Sequence, residues 1–210
     1  MAQVKICGLT RPDHIAAAVG AGAAYLGFNF FPKSPRYVSP EDAAALAVDV
    51  PTGVARVGLF VNPDDDLLRS VLDVVPLDIV QLHGAETPER VTEVKALTGL
   101  PVMKAVGVAG PDDLDALWDY GLVADLLLVD AKAPKDAVLP GGNGLPFDWR
   151  LLVGRKWLTP WMLAGGLTPK NVGEAIRLTG TRIVDVSSGV ESAPGQKDPD
   201  LIRQFIAASA

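Results

Sequence analysis

The 210-residue sequence predicts an α/β fold, a (β/α)8 barrel of the TIM type formed as one domain over residues 1–210. Three observations carry this expectation. Short runs rich in Val, Ile and Leu alternate with helix-like stretches along the whole chain. The strand–helix pairs number eight, which suits a closed barrel. The first turn, Cys7-Gly8-Leu9-Thr10, lacks the G-x-G-x-x-G pattern that opens many doubly wound sheets.

The apolar runs fall near 2–7, 24–30, 54–61, 78–83, 101–106, 125–130, 159–164 and 181–186. Between them, helix starts are read at Pro12-Asp13-His14, Ser39-Pro40-Glu41 and Asn62-Pro63-Asp64. Three more follow at Thr87-Pro88-Glu89, Pro111-Asp112-Asp113 and Thr168-Pro169-Lys170. Ser, Thr or Asn before Pro places a capping side chain ahead of a residue already set to helical φ. The longest irregular stretch, 131–146, lies between strand six and its helix. A long loop there belongs to the catalytic face of a barrel.

Hydrophobic residues make up 49% and charged residues 21%, enough apolar material for a full core. No apolar run approaches the ~20 residues that span a bilayer, and MAQVKICGLT does not read as a secretory signal. The expectation is a cytoplasmic protein with no membrane partner, either a monomer or a homodimer. One Cys and two His exclude an internal disulfide and a usual structural zinc site, so no metal is expected. The net charge is −6, with no basic stripe, which argues against nucleic acid. An acidic chain that holds an anion must do so with local positive ends: helix N-termini, backbone amides and a placed Arg or Lys.

Chemistry on a barrel collects where strands end at the C-terminal face. Cys7 ends strand one; buried packing is the ordinary fate of a free Cys, but a thiol titrates closer to neutrality than a carboxylate and needs only modest tuning to act as a base. Asp130 ends the run LLLVD, where it could instead cap a loop or pair with Lys132. Asp is ordinarily ionised at neutral pH, so desolvation or a bound anion must favour its protonated form if it is to act as an acid. AGGLTPKNV and DVSSGVE, after strands seven and eight, offer Gly165, Gly166, Ser187, Ser188 and Gly189 as a phosphate grip. Ring order six, seven, eight, one then sets that grip between Asp130 and Cys7. The loop after strand two carries Lys33 and Arg36, either of which could meet a second anionic group or remain solvated. Lys5 shares inward parity with Cys7 and needs a partner, for which Asp185 on strand eight is the candidate. Gln81 and His83 stand at the mouth on strand four as supporting residues, and Trp149, Trp157 and Trp161 read as packing.

Taken in order, KICGLT, FVNP, QLHG, GGNG with FDW, AGGLTPKNV and DVSSGVE resemble the phosphoribosylanthranilate isomerase family over nearly the whole chain. The resemblance implies a barrel without a cofactor that converts N-(5-phosphoribosyl)anthranilate to 1-(2-carboxyphenylamino)-1-deoxyribulose 5-phosphate by an Amadori rearrangement in tryptophan biosynthesis. It also implies that Cys7 is the general base, Asp130 the general acid, and Arg36 the residue that engages the anthranilate carboxylate. One departure concerns Gly141-Gly142-Asn143-Gly144, where the family usually shows GGTG. Two other readings are a dual-specificity isomerase that also serves histidine biosynthesis and a phosphate-binding barrel without activity. The first would use paired carboxylates on strands one and five, and strand five, VMKAVGV, ends without one. The second would need neither Cys7 nor Asp130.

Overall fold

Eight parallel strands close in chain order: β1 (Gln3–Cys7), β2 (Tyr25–Asn29), β3 (Ala55–Phe60), β4 (Ile79–Leu82), β5 (Val102–Val108), β6 (Leu126–Ala131), β7 (Trp161–Leu163) and β8 (Ile183–Val186). β8 pairs back onto β1. This computed structural model describes residues 2–134, 139, 141, 144 and 147–210. Each expected run holds a strand. β5 continues past the run 101–106 to Val108, and β6 ends one place after Asp130, at Ala131.

Register sorts the side chains into two cores. Cross-strand partners Gln81 and Met103, Met103 and Leu126, Ala105 and Leu128, Leu128 and Met162 all share the inward side. Val57, Met103, Ala105, Leu126, Leu128, Met162 and Ala164 accordingly form the barrel's own apolar filling. Alternate residues such as Val4, Ile6, Val80, Val102 and Val184 face the helices in a second, larger core. Burying one Leu, Val or Phe side chain contributes roughly 1.5–3 kcal/mol. The same parity sends Lys5, Cys7, Asp130 and Asp185 inward, above that filling.

The helices are α1 (Pro12–Ala21), α2 (Pro40–Ala47), α3 (Asp65–Leu72), α4 (Pro88–Thr98), α5 (Leu114–Gly121), α6 (Val172–Thr179) and α7 (Pro199–Ala208). Ser39 and Thr87 cap α2 and α4 through their hydroxyls, as read. Two starts are corrected. Asp64, not Asn62, caps α3, because Asn62 takes a left-handed conformation and its carboxamide accepts from Ala85 N–H at 2.8 Å. Thr168-Pro169 forms a turn, and α6 begins only after Asn171, which accepts from Thr168 N–H and donates to the Gly166 carbonyl. Pro111-Asp112-Asp113 is a short 3-10 turn that leads into α5. Between β6 and β7 the eighth helix is reduced, among the described residues, to a 3-10 turn at Trp149–Leu152, which a left-handed Gly154 soon follows. Trp157 and Trp161 stack with ring centroids 4.2 Å apart. No helix among the described residues is long and apolar enough to cross a membrane. Gly142 and Asn143, the centre of the GGNG departure, lie outside the described residues.

One buried ion pair braces the upper rim. Lys104, on the helix-facing side of β5, donates to Glu86 at 2.6 Å and to the Gly84 carbonyl at 2.7 Å. Glu86 in turn accepts from the N–H groups of Asn62 and Gly84. Burial pulls the Lys104 ammonium below its ordinary range, and Glu86 opposes that only in part. With the two side chains 2% and 1% exposed, Lys104→Met leaves a buried carboxylate without its counter-ion. The expected loss is about 3–5 kcal/mol in a urea melt, and Lys104→Met/Glu86→Leu should recover part of it. A single variant as stable as the parent would show that the pair contributes nothing.

Candidate active site

The C-terminal ends of the strands open on a cleft of about 790 Å³, its mouth included. Cys7, Arg36, His83, Asp130, Asp185 and the two glycine-containing turns after β7 and β8 line it. Gln81 is fully buried behind this lining.

Cys7 is 5% exposed at the end of β1. Burial pushes its thiol above the ordinary range and Asp185 adds to the rise, while the ammonium groups of Lys5 and Lys197 pull it down without prevailing. The sequence suggests a thiol tuned toward neutrality; here desolvation wins, because the thiolate would sit almost out of water. Lys5 donates to Asp185 at 2.8 Å, the expected inward pair. Its own burial would lower its pKa, but Asp185 and Cys7 outweigh that and hold it raised.

Asp130 sits across the cleft on β6. One carboxylate oxygen accepts from Ala131 N–H at 2.8 Å; the other lies 3.4 Å from His83 Nε2. Gln81 Nε2 is 2.9 Å from His83 Nδ1. When the amide donates, the ring proton resides on Nε2 and points at Asp130. Lys132, the alternative partner, pairs with Asp113 instead. Beside Asp130 the inward residue of β5 is Gly107, which leaves space rather than a second carboxyl.

Between these two flanks lie the turns after β7 and β8. Gly165 and Gly166 are both left-handed, with φ of 83° and 65°. At Gly189 the Leu167 carbonyl oxygen lies only 1.9 Å from where a Cβ would stand, so a side chain there would force the two turns apart. Among the described residues, the N–H groups of Gly165, Gly166, Ser188 and Gly189 donate no backbone bond of a loop, turn or cap. The Ser187 hydroxyl is committed to the Cys7 carbonyl at 3.1 Å and to Lys197 at 3.1 Å, so the side chain braces the turn.

Arg36 is no solvated cation. It is 6% exposed and clamps Glu191 with two bonds, Nε to Oε1 at 2.7 Å and Nη2 to Oε2 at 2.9 Å. Lys33 is exposed and lies outside the cleft lining. Lys197, on the hairpin of β9 (Glu191–Ala193) and β10 (Gln196–Lys197), donates to Glu191 at 2.6 Å. Burial alone would raise the Glu191 carboxyl, but Arg36 and Lys197 hold it below its usual range. Sequence marks no role for Glu191 within DVSSGVE, nor for Lys197, Glu86 or Lys104. A buried lysine's need for a counter-ion was a usable signal for Lys104; nothing local marks its partner.

A closed parallel barrel that turns a thiol and a carboxyl toward opposite flanks of two glycine-containing turns defines a (β/α)8-barrel enzyme. The family model described as N-(5'phosphoribosyl)anthranilate (PRA) isomerase matches residues 4–208. N-(5'-phosphoribosyl)anthranilate isomerase of Paracoccus denitrificans is 76% identical over 97% of this chain and 95% of its own length. The Ruegeria sp. enzyme of the same name is 61% identical over 99% and 97%. Among solved structures, phosphoribosyl anthranilate isomerase from Thermotoga maritima is 41% identical with a TM-score of 0.90, covering 100% of this chain and 98% of that one. A further phosphoribosyl anthranilate isomerase structure, 38% identical with a TM-score of 0.87 over 100% and 98%, is a complex with reduced 1-(o-carboxyphenylamino)-1-deoxyribulose 5-phosphate. The chain belongs to the N-(5'-phosphoribosyl)anthranilate isomerase family.

Proposed function

We propose that residues 1–210 act as one catalytic domain in which Cys7 and Asp130 carry out the proton transfers of the family's reaction in tryptophan biosynthesis. The reaction isomerises N-(5'-phosphoribosyl)anthranilate, an aminoaldose, to the aminoketose. The observation that carries the assignment is the shared inward layer: β6 and β1 present the carboxyl and the thiol on either side of the turns after β7 and β8.

A phosphate held by the amides of Gly165, Gly166, Ser188 and Gly189 sets the ribose between the two groups. Asp130 gives its proton to the ring oxygen, and the furanose opens to a protonated imine that keeps its N–H. Cys7 takes the proton from the adjacent carbon, which leaves an enolamine that relaxes to the ketone. One proton is delivered and one removed, so the enzyme returns to its starting charge once the two groups re-equilibrate with water. Arg36, one strand beyond Cys7, meets the anthranilate carboxylate at the far end. Loss of substrate fluorescence on adding the protein is the direct test; a folded sample that leaves the signal unchanged would defeat the assignment.

The carboxylate end is remote from the bonds that change. Arg36→Met should therefore raise KM and leave kcat near the parent value, the mark of an interaction equally strong in ground and transition states. A drop in kcat with KM unmoved would remove Arg36 from substrate binding.

A further inference from the structure

Glu191 takes no part in the proposed proton transfers, yet it pairs both with Arg36, which lines the cleft, and with the buried Lys197. Arg36 reaches it across Gly8, where φ is 77° and a Cβ would come within 2.7 Å of Arg36 Cδ. Only a bare residue lets the arginine stem lie flat over β1. From the other side the turn of the β9–β10 hairpin packs Gly195 against the Pro35 carbonyl, next to Arg36. Lys197 is fully buried and bonds three acceptors: Glu191, the Ser187 carbonyl at 3.0 Å and the Ser187 hydroxyl at 3.1 Å. The Ser187 hydroxyl closes the chain on the Cys7 carbonyl.

We infer that Glu191 is the positioning residue of the carboxylate subsite, fixing the Arg36 guanidinium and tying it through Lys197 to Ser187 on the phosphate-holding turn. Without Glu191 the two buried cations would repel each other and lose their shared acceptor, and Arg36 would lose the two bonds that align its Nε and Nη2. Because the same chain ends at Ser187 and Cys7, the hairpin sets how far the carboxylate subsite lies from the phosphate subsite and the base. The substrate class favoured is then one with a carboxylate and a phosphate at a fixed separation. The inference rests on the reading of Arg36 given above.

The test compares Glu191→Gln, Glu191→Asp, Arg36→Met and Arg36→Met/Glu191→Gln, each checked for folding by circular dichroism. Glu191→Gln keeps the shape and removes the charge, so KM should rise roughly 10- to 100-fold, the range set by one charged hydrogen bond, with kcat close to the parent. Glu191→Asp keeps the charge but withdraws it by one methylene, and its KM should fall between. The double variant should bind no worse than Arg36→Met alone, because both changes disable one subsite. A folded Glu191→Gln protein with parental KM would overturn the inference, as would effects that add in full in the double variant. Should Glu191→Gln not fold, the Glu191→Asp cycle with Arg36→Met is read by the same criteria. If Arg36→Met leaves KM unchanged, it is the reading of Arg36 that fails, and this outcome is separate from the others.

Discussion

Cys7→Ser should fold and lose about 10²- to 10⁴-fold in kcat, the usual contribution of one positioned proton transfer. Serine fits the site, so the Ser187 hydroxyl still finds the residue 7 carbonyl and Lys5 keeps Asp185. What disappears is a group that can be deprotonated at accessible pH. Turnover near the parent level in a folded Cys7→Ser protein would exclude the thiol as base. Since Cys7 is the chain's one cysteine, its protonation can be followed separately by alkylation with iodoacetamide. Only the thiolate reacts, and burial and Asp185 set its pKa above the ordinary thiol range. The rate should therefore be slow at neutral pH and still climbing at pH values where an ordinary thiol has levelled off. Lys5→Met removes a charge that lowers the thiol pKa, so its curve should shift to higher pH. A plateau at or below the ordinary value would show that the thiol is not desolvated as described.

The barrel was legible because two periodicities repeat eight times, and period-two parity then told which residues of β1 and β8 look inward. That argument placed Lys5 against Asp185 from sequence alone. Capping was legible only where side chain and backbone agree locally: Ser39 and Thr87 were read correctly. Asn62 was not, because its left-handed backbone and its bond to Ala85 depend on a loop from the next repeat. The same limit hid the environment of Arg36. Its counter-ion lies 155 positions away, on a hairpin outside the eight-fold pattern. Nor could sequence weigh desolvation at Cys7, since that depends on how tightly the surrounding strands and turns exclude water. Residue type and strand number thus indicated what could react; partners and pKa directions needed the closed barrel.

Asp130→Asn should cut kcat by about 10²- to 10⁴-fold while KM stays close to the parent, because the amide keeps the shape but cannot deliver the proton. The surroundings can absorb the change. The new carbonyl oxygen can still accept from Ala131 N–H, as the carboxylate does at 2.8 Å. The new NH2 faces His83 Nε2, which must then become an acceptor, so the ring proton moves to Nδ1. Gln81 can meet that proton by turning its amide over, since its Oε1 has no hydrogen-bond partner to lose. The bonds that join Gln81, His83 and position 130 can thus re-form, with one unpaired Gln81 amide atom exchanged for the other, and the melting temperature should change little. Measured together, an intact fold, an intact KM and a lost kcat isolate proton delivery from binding. If the variant instead changes KM alone, Asp130 holds the substrate and the acid must be sought elsewhere. A protein that melts well below the parent would mean the pair with His83 is structural, and the kcat of that variant would no longer report on the acid.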